Sequence, residues 1–231
     1  MPPDVTPRLL RPQDFHAEAA TFILGEIRAA IATRGFCRLA LSGGRTPRAV
    51  HAELVRQAGD LPWARVQITF GDERCVPPED AESNYRMARE SLLDPAGIPA
   101  GNVFRIRGEI DPAEAAREYE ARLAAVAARL GEARYVHDLL LLGLGEDGHT
   151  ASLFPGSPAL AETSRNVIPT TGPKPPPQRV TMTFPLINAA RHIAFLVKGA
   201  EKLPLVEQIM AGGSTFPAAQ VRPGKLTWLI G

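Results

Sequence analysis

Apolar positions along this chain switch repeatedly between two periods. Over residues 14–34 they recur at helical spacing, with Phe15, Ala19, Phe22 or Ile23, Ile27 and Ala30 or Ile31 on one stripe, and Gly35 stops the run. Residues 36–41 then read as a buried strand and Ser42-Gly43-Gly44-Arg45 as a tight turn. Thr46 reads as the N-cap of a second helix, with Pro47 in its first position, running to about Gln57. The cycle repeats with a β-branched and aromatic strand at 66–70, ended by Gly71-Asp72-Glu73-Arg74, and a helix from a Ser83 cap through Leu93. Residues 103–106 form a short strand candidate. Asp111-Pro112-Ala113-Glu114 combines an N-cap, a proline at the first helical position and an acid able to reach back, and starts a helix that stops at Gly131. A second buried strand is expected at 138–142, a glycine-rich turn at 143–149 and a stiff proline-rich loop at 170–178. Further strands are expected at 180–184, 192–197 and 226–230, and a helix at 199–210 that tolerates Pro204 only in its first turn.

Strands alternating with helices predict an α/β fold, a mostly parallel sheet flanked by helices on both faces. No internal repeat and no linker divides the sequence, so residues 1–231 are expected to form a single domain. Ligands of such sheets lie off the carboxyl ends of the strands. The turns at 42–46, 71–74 and 143–149 all follow predicted strands, so one rim should gather them.

Composition narrows the possible ligands. With 45% hydrophobic and 22% charged residues the chain is globular in type, and a net charge of +1 provides no global field for nucleic acid or an anionic membrane. An anionic ligand must therefore be held by a local site. No apolar run approaches the length that crosses a bilayer, and residues 1–11 contain three prolines and no apolar run of signal-peptide length. Two cysteines, Cys37 and Cys75, make no disulfide framework and fit a reducing compartment, so the cytoplasm is the expected location and a monomer the default state.

Each of the three turns has a plain reading and a chemical one. Gly43 and Gly44, with the hydroxyls of Ser42 and Thr46 at a helix start, suit a phosphate, or simply join a strand to a helix. Arg74 could grip a phosphate or carboxylate with Asp72 or Glu73 orienting it, or form a solvated ion pair. His149 is the best general-base candidate of the five histidines, because Asp147 lies beside it and Gly145 and Gly148 could offer N–H groups to an oxyanion; alternatively it caps a surface turn. Arg179 and Lys202 gain weight only if the fold brings them to the phosphate turn. There is no His-Glu-x-x-His pattern, no cysteine pair at ligand spacing and no Gly-x-Ser-x-Gly elbow, so no metal site and no serine esterase is expected.

Together, Leu41-Ser42-Gly43-Gly44-x-Thr46-Pro47, Gly71-Asp72-Glu73-Arg74 with Ser83-Asn84-Tyr85, and Gly143-x-Gly145-x-Asp147-Gly148-His149-Thr150-Ala151-Ser152-Leu153-Phe154-Pro155 resemble the 6-phosphogluconolactonases. The resemblance continues through Arg179-Val180-Thr181-Met182-Thr183, Asn188-Ala189-Ala190-Arg191 and Lys198-Gly199-Ala200-Glu201-Lys202, and covers nearly the whole chain. It implies a Rossmann-like fold shared with glucosamine-6-phosphate deaminases and ribose-5-phosphate isomerases. It implies hydrolysis of 6-phospho-D-glucono-1,5-lactone in the oxidative pentose phosphate pathway, without a cofactor. His149 would be the base with Asp147 as partner, and Ser42, Gly43, Gly44, Thr46, Arg74, Arg179 and Lys202 would surround the sugar phosphate. Two other readings stand beside it. A deaminase of the glucosamine-6-phosphate type shares the phosphate turn and the Gly-x-Asp-Gly-His segment. It usually has Asn-Glu-Pro where this chain has Ser152-Leu153-Phe154-Pro155, and Asp-Glu-Tyr where this chain has Asp72-Glu73-Arg74. A non-catalytic sugar-phosphate sensor would normally carry a helix-turn-helix, and no basic recognition helix is evident here.

Overall fold

A computed structural model describes residues 6–231; positions 1–5 of the proline-rich lead lie outside the described residues. The first element among the described residues is a short strand, β1 (Arg8–Leu10), which the sequence pattern did not disclose. Helix α1 (Phe15–Arg34) follows, with the Asp14 carboxylate accepting from the Ala17 N–H at its start and Gly35 at φ 82° at its end. Next come β2 (Cys37–Leu41), α2 (Arg45–Gln57), β3 (Val66–Phe70) and β4 (Asp72–Arg74). After α3 (Asn84–Ala88) the same helix continues as a π-turn over Arg89–Leu93. The rest of the chain forms α4 (Pro112–Arg129), β5 (Leu139–Leu142), β6 (Val167–Thr171), β7 (Gln178–Met182), α5 (Phe184–Ile187), β8 (Ile193–Val197), α6 (Leu203–Met210) and β9 (Leu226–Ile230).

Six strands build a parallel sheet in the order β1-β9-β8-β5-β2-β3. Strands β2, β5, β8 and β9 are buried at every position, as expected where both faces of a parallel sheet are covered. Phe195 and Trp228 stack across β8 and β9 with ring centroids 3.9 Å apart. The one charged side chain inside this region, Arg38, is paired with Glu132 and lies over the Tyr135 ring at 4.4 Å. Cys37 is fully buried, the environment of a small apolar residue rather than a nucleophile.

The expected fold class is thus observed, with four local corrections. Thr46 is not the cap of α2; the helix begins at Arg45, and Gly44 occupies the cap position at φ 105°, where a side chain would be strained. Residues 71–74 are not a turn, because Asp72–Arg74 enters a second sheet, antiparallel, in the order β4-β7-β6. The supposed loop at 170–178 is the end of the β6–β7 hairpin. Pro169 masks β6 as a strand, yet β6 lies at the sheet edge, where a missing N–H is tolerated. Finally, 103–106 contributes only one bridge, Val103 to Ile68, beyond β3.

Topology locates the crevice. From β2 the sheet grows outward through β3, whereas from β5 it grows the other way through β8 and β9. The loops after β2 and β5 therefore diverge and leave an opening at the carboxyl edge, the point where such folds bind ligands.

Candidate active site

The glycine-rich loop after β5 folds back on itself. The Gly145 N–H donates to the His149 carbonyl (2.9 Å), the Gly148 N–H donates to the Gly145 carbonyl (3.0 Å), and the Thr150 hydroxyl bonds the Gly143 carbonyl (2.9 Å). This knot presents His149 to the crevice. Its Nδ1 lies 2.5 Å from Asp147 Oδ1, which also accepts the His149 backbone N–H at 3.1 Å. Burial works to raise the Asp147 carboxyl, but the hydrogen bonds and charge of His149 outweigh it and hold the carboxyl below its ordinary value. An ionised Asp147 selects the tautomer with the proton on Nδ1 and leaves the Nε2 lone pair toward solvent. A Cβ on Gly145 would fall 2.1 Å from His149 Nδ1, so the imidazole lies directly on the loop backbone.

The same bonds correct one expectation. The N–H groups of Gly145 and Gly148 are committed inside the loop, so neither is free to receive an oxyanion. Gly148 is also turned from the crevice, with Phe216 packed where its side chain would be.

The second sheet forms the facing wall. Arg74 on β4 and Arg179 on β7 are direct partners across the antiparallel pair. Two like charges opposite each other destabilise a sheet unless something compensates them. Arg179 is buried, with Nε donating to the Pro176 carbonyl (2.8 Å); burial first, and the Arg74 charge second, lower its basicity. Arg74 donates to the Glu82 carbonyl (2.6 Å) and lies 3.5 Å from the Glu82 carboxylate, while its Nε is buried without a protein partner. The orienting group is therefore Glu82 and not Asp72 or Glu73. Asp72 instead accepts from the Ser152 hydroxyl at 2.6 Å and ties the histidine loop to the second sheet. Glu73 is sunk beneath α3, where it accepts the N–H groups of Asn84 (2.7 Å) and Tyr85 (2.8 Å) and the Ser83 hydroxyl; burial nevertheless pushes its carboxyl up to about 7.

The loop after β2 closes the third side. Gly43 approaches Asn84 so closely that a Cβ would sit 1.9 Å from the Asn84 amide oxygen. The Ser42 hydroxyl is buried and has no protein partner. Below it, the first turn of α2 supplies unpaired N–H groups and the positive end of a helix dipole.

Ser42, Gly43, Gly44, Thr46, Arg74, Gly145, Asp147, His149, Arg179 and Lys202 thus converge on one cleft of about 640 Å³. Sequence reasoning gave no site role to Asn84, Ser152, Lys174, Lys198 or Glu201, which also line it. Asn84, Ser152, Lys198 and Glu201 had a signal, since they stand inside the motifs quoted above. Lys174 had none, because only the hairpin geometry brings it over the cleft. His16, His51, His137 and His192 lie outside the cleft lining. Among the described residues no group of three or more His, Cys, Asp or Glu side chains is placed to hold a metal ion.

Comparison with known proteins agrees with this geometry. The sequence profile of the glucosamine-6-phosphate isomerases/6-phosphogluconolactonase family matches residues 11–229. A 6-phosphogluconolactonase of Synechocystis is 41% identical over 227 residues, covering 96% of this chain and 93% of its own length. The human 6-phosphogluconolactonase is 42% identical over 200 residues, covering 83% and 77%. Among solved structures, the 6-phosphogluconolactonase of Thermotoga maritima superposes with a TM-score of 0.85 at 29% identity, covering 99% of this chain and all of the other. That of Trypanosoma brucei gives 0.84 at 32% identity, covering 98% and 97%. With the crevice at the switch point, the histidine loop and the basic second sheet all in place, this chain belongs to the glucosamine-6-phosphate isomerase/6-phosphogluconolactonase family.

Proposed function

We infer that this protein is a 6-phosphogluconolactonase, hydrolysing 6-phospho-D-glucono-1,5-lactone to 6-phosphogluconate in the pentose phosphate pathway. The observation that carries this reading is the His149–Asp147 pair facing, across one cleft, the Arg74–Arg179 pair and the open Ser42–Thr46 turn. Relatives of that name at about 40% identity support it. The phosphate is assigned to Arg74, Arg179 and Lys202 with the Ser42 hydroxyl and the glycine turn at α2. The buried, unpartnered Arg74 Nε and Ser42 Oγ are donors without an acceptor, and a dianion supplies one.

Held there, the lactone presents C1 to His149. Water adds to C1 as Nε2 takes its proton, and Asp147 stabilises the imidazolium through Nδ1–H. The tetrahedral intermediate carries its negative charge on the former carbonyl oxygen. Because the Gly145 and Gly148 N–H groups are engaged, that charge is assigned to a cation of the cleft wall. Collapse breaks the bond from C1 to the ring oxygen, which regains the proton from His149. Binding energy at the phosphate, remote from C1, serves to hold the reacting atoms together. The unpaired Cys37 and Cys75 fit a reducing compartment such as the cytoplasm. The deaminase reading is less supported, because Arg74 stands where that chemistry usually has tyrosine.

The test is lactone disappearance with freshly made substrate, corrected for spontaneous hydrolysis. Wild type should accelerate it, and His149→Ala should lose about a hundredfold or more in kcat. A His149→Ala enzyme with wild-type kcat overturns the assignment of the base. No acceleration by wild type, or ammonia release from glucosamine 6-phosphate, overturns the activity.

A further inference from the structure

The His149 ring has two close neighbours. One side rests on the backbone at Gly145, where no side chain fits. Phe154 is the second neighbour, its ring centroid 4.6 Å from that of His149 at an interplanar angle of 44°. Phe154 is itself fixed. Leu153, the residue before it, is fully buried, and the Leu153 N–H closes a turn onto the Thr150 carbonyl at 3.0 Å. Between them Ala151 adopts φ 49°, a left-handed conformation that a residue with a Cβ enters at a cost, so the surrounding contacts impose this path.

The far edge of the Phe154 ring meets the β6–β7 hairpin. A Cβ on Gly172 would lie 3.2 Å from Phe154 Cε2 and Cζ and 3.5 Å from Arg179 Nε. One aromatic ring therefore spans from the imidazole to the hairpin that carries Arg179. Its hydrocarbon offers no hydrogen bond and no charge to a substrate, and its close contacts are with His149 and with Gly172 beside Arg179.

We propose that Phe154 is a positioning residue, which clamps His149 against Gly145 and sets the spacing between the base and the phosphate-gripping arginine. The proposal rests on the reading of His149 as the base. Asp147 holds the imidazole at Nδ1, and the Phe154 ring packed beside it limits the remaining excursions of the side-chain torsions that would swing Nε2 away. Nε2 then points to the same place in every molecule, where C1 of a phosphate-anchored lactone is presented. A misplacement of about 1 Å in such an arrangement costs on the order of a hundredfold in rate.

The experiment is Phe154→Leu, which keeps an apolar side chain and removes the ring face. Three quantities are read: kcat on fresh lactone, the Kd of 6-phosphogluconate by calorimetry, and the His149 imidazole signals in long-range 1H–15N spectra. The expected result is a kcat lower by about ten- to a hundredfold, a product Kd within about twofold of wild type, and His149 signals that shift and broaden as the ring samples several orientations. A kcat within twofold of wild type overturns the proposal, as does an unchanged imidazole spectrum. A kcat loss matched by an equal loss of product affinity overturns it too, since that is the mark of general damage to the cleft. His149→Ala measured alongside separates the two layers. If it retains full activity, the assignment of the base fails; if it is inactive while Phe154→Leu is normal, only the positioning role fails.

Discussion

At the scale of single residues, this site depends on the absence of side chains as much as on their presence. Gly145 is the sharpest case. Gly145→Ala places a methyl group 2.1 Å from His149 Nδ1 and 2.9 Å from Asp147 Oδ1, so the pair must separate. The expected outcome is a kcat lower by about a hundredfold with folding retained, measured by steady-state lactonase kinetics beside a thermal melt. Arg179 presents the opposite problem, a charge placed against a like charge. Inorganic phosphate at constant ionic strength should raise the Tm of wild type, because an anion between Arg74 and Arg179 relieves their repulsion. Arg179→Met should abolish that rise and increase KM at least about tenfold, in keeping with the loss of a charged hydrogen bond of about 1.5–3 kcal/mol. A phosphate-induced rise that persists in Arg179→Met would remove this arginine from the phosphate site.

At the scale of elements, strong local signals translated directly into structure and ambiguous ones did not. The Asp111-Pro112 start of α4 formed as expected, with the Asp111 carboxylate accepting the N–H groups of Ala113 and Glu114 at 3.0 Å each. Among the described residues, the return bond from Glu114 that would complete a capping box is absent. This helix packs on β6 and β7. Asp111→Ala should therefore cost about 1 kcal/mol of stability, read as a lower urea midpoint, and leave KM unchanged. The second sheet was illegible for a physical reason. Strand β4 has three residues, all charged, and β6 contains Pro169; neither shows the alternation that marks a strand. Their pairing comes from β7, more than a hundred positions from β4 along the chain. Local propensity carries no information about such a partner.

At the scale of the whole molecule, buried titratable groups link folding to pH. His51 is wholly buried and lowered to about 4, and burial likewise lowers His137 to about 3, beneath its bond to Thr69. Between about pH 6.5 and 4 the unfolded chain takes up these protons and the native one does not, so stability falls as pH falls. Glu73 acts in the opposite direction. Its native carboxyl, raised to about 7, keeps a proton that the unfolded chain releases above about 4.5, so its contribution declines as pH rises through that window. Two histidines outweigh one carboxyl, and Tm should drop between pH 6.5 and 4.5. Glu73→Gln should make that drop steeper and His137→Asn shallower, both measured by thermal unfolding across a pH series. An identical slope in all three proteins would contradict this account.

The sequence alone determined what depends on near neighbours along the chain. The parallel core strands appeared as apolar runs, most helix ends appeared as caps, and the loop carrying Asp147 and His149 was visible because glycines and a short-range acid–base pair lie within five positions. It also determined that an anion would need a local site, since a net charge of +1 provides no general attraction. The tertiary structure alone decided which of the scattered cations line one cleft. Arg74 and Arg179 became partners through the register of β4 on β7, Lys174 arrived with the hairpin, and Gly145 and Gly148 lost the oxyanion role because their N–H groups close the loop that carries His149. Propensity and capping act over a few residues, whereas strand register and the direction of a side chain are set by packing between segments far apart in the chain.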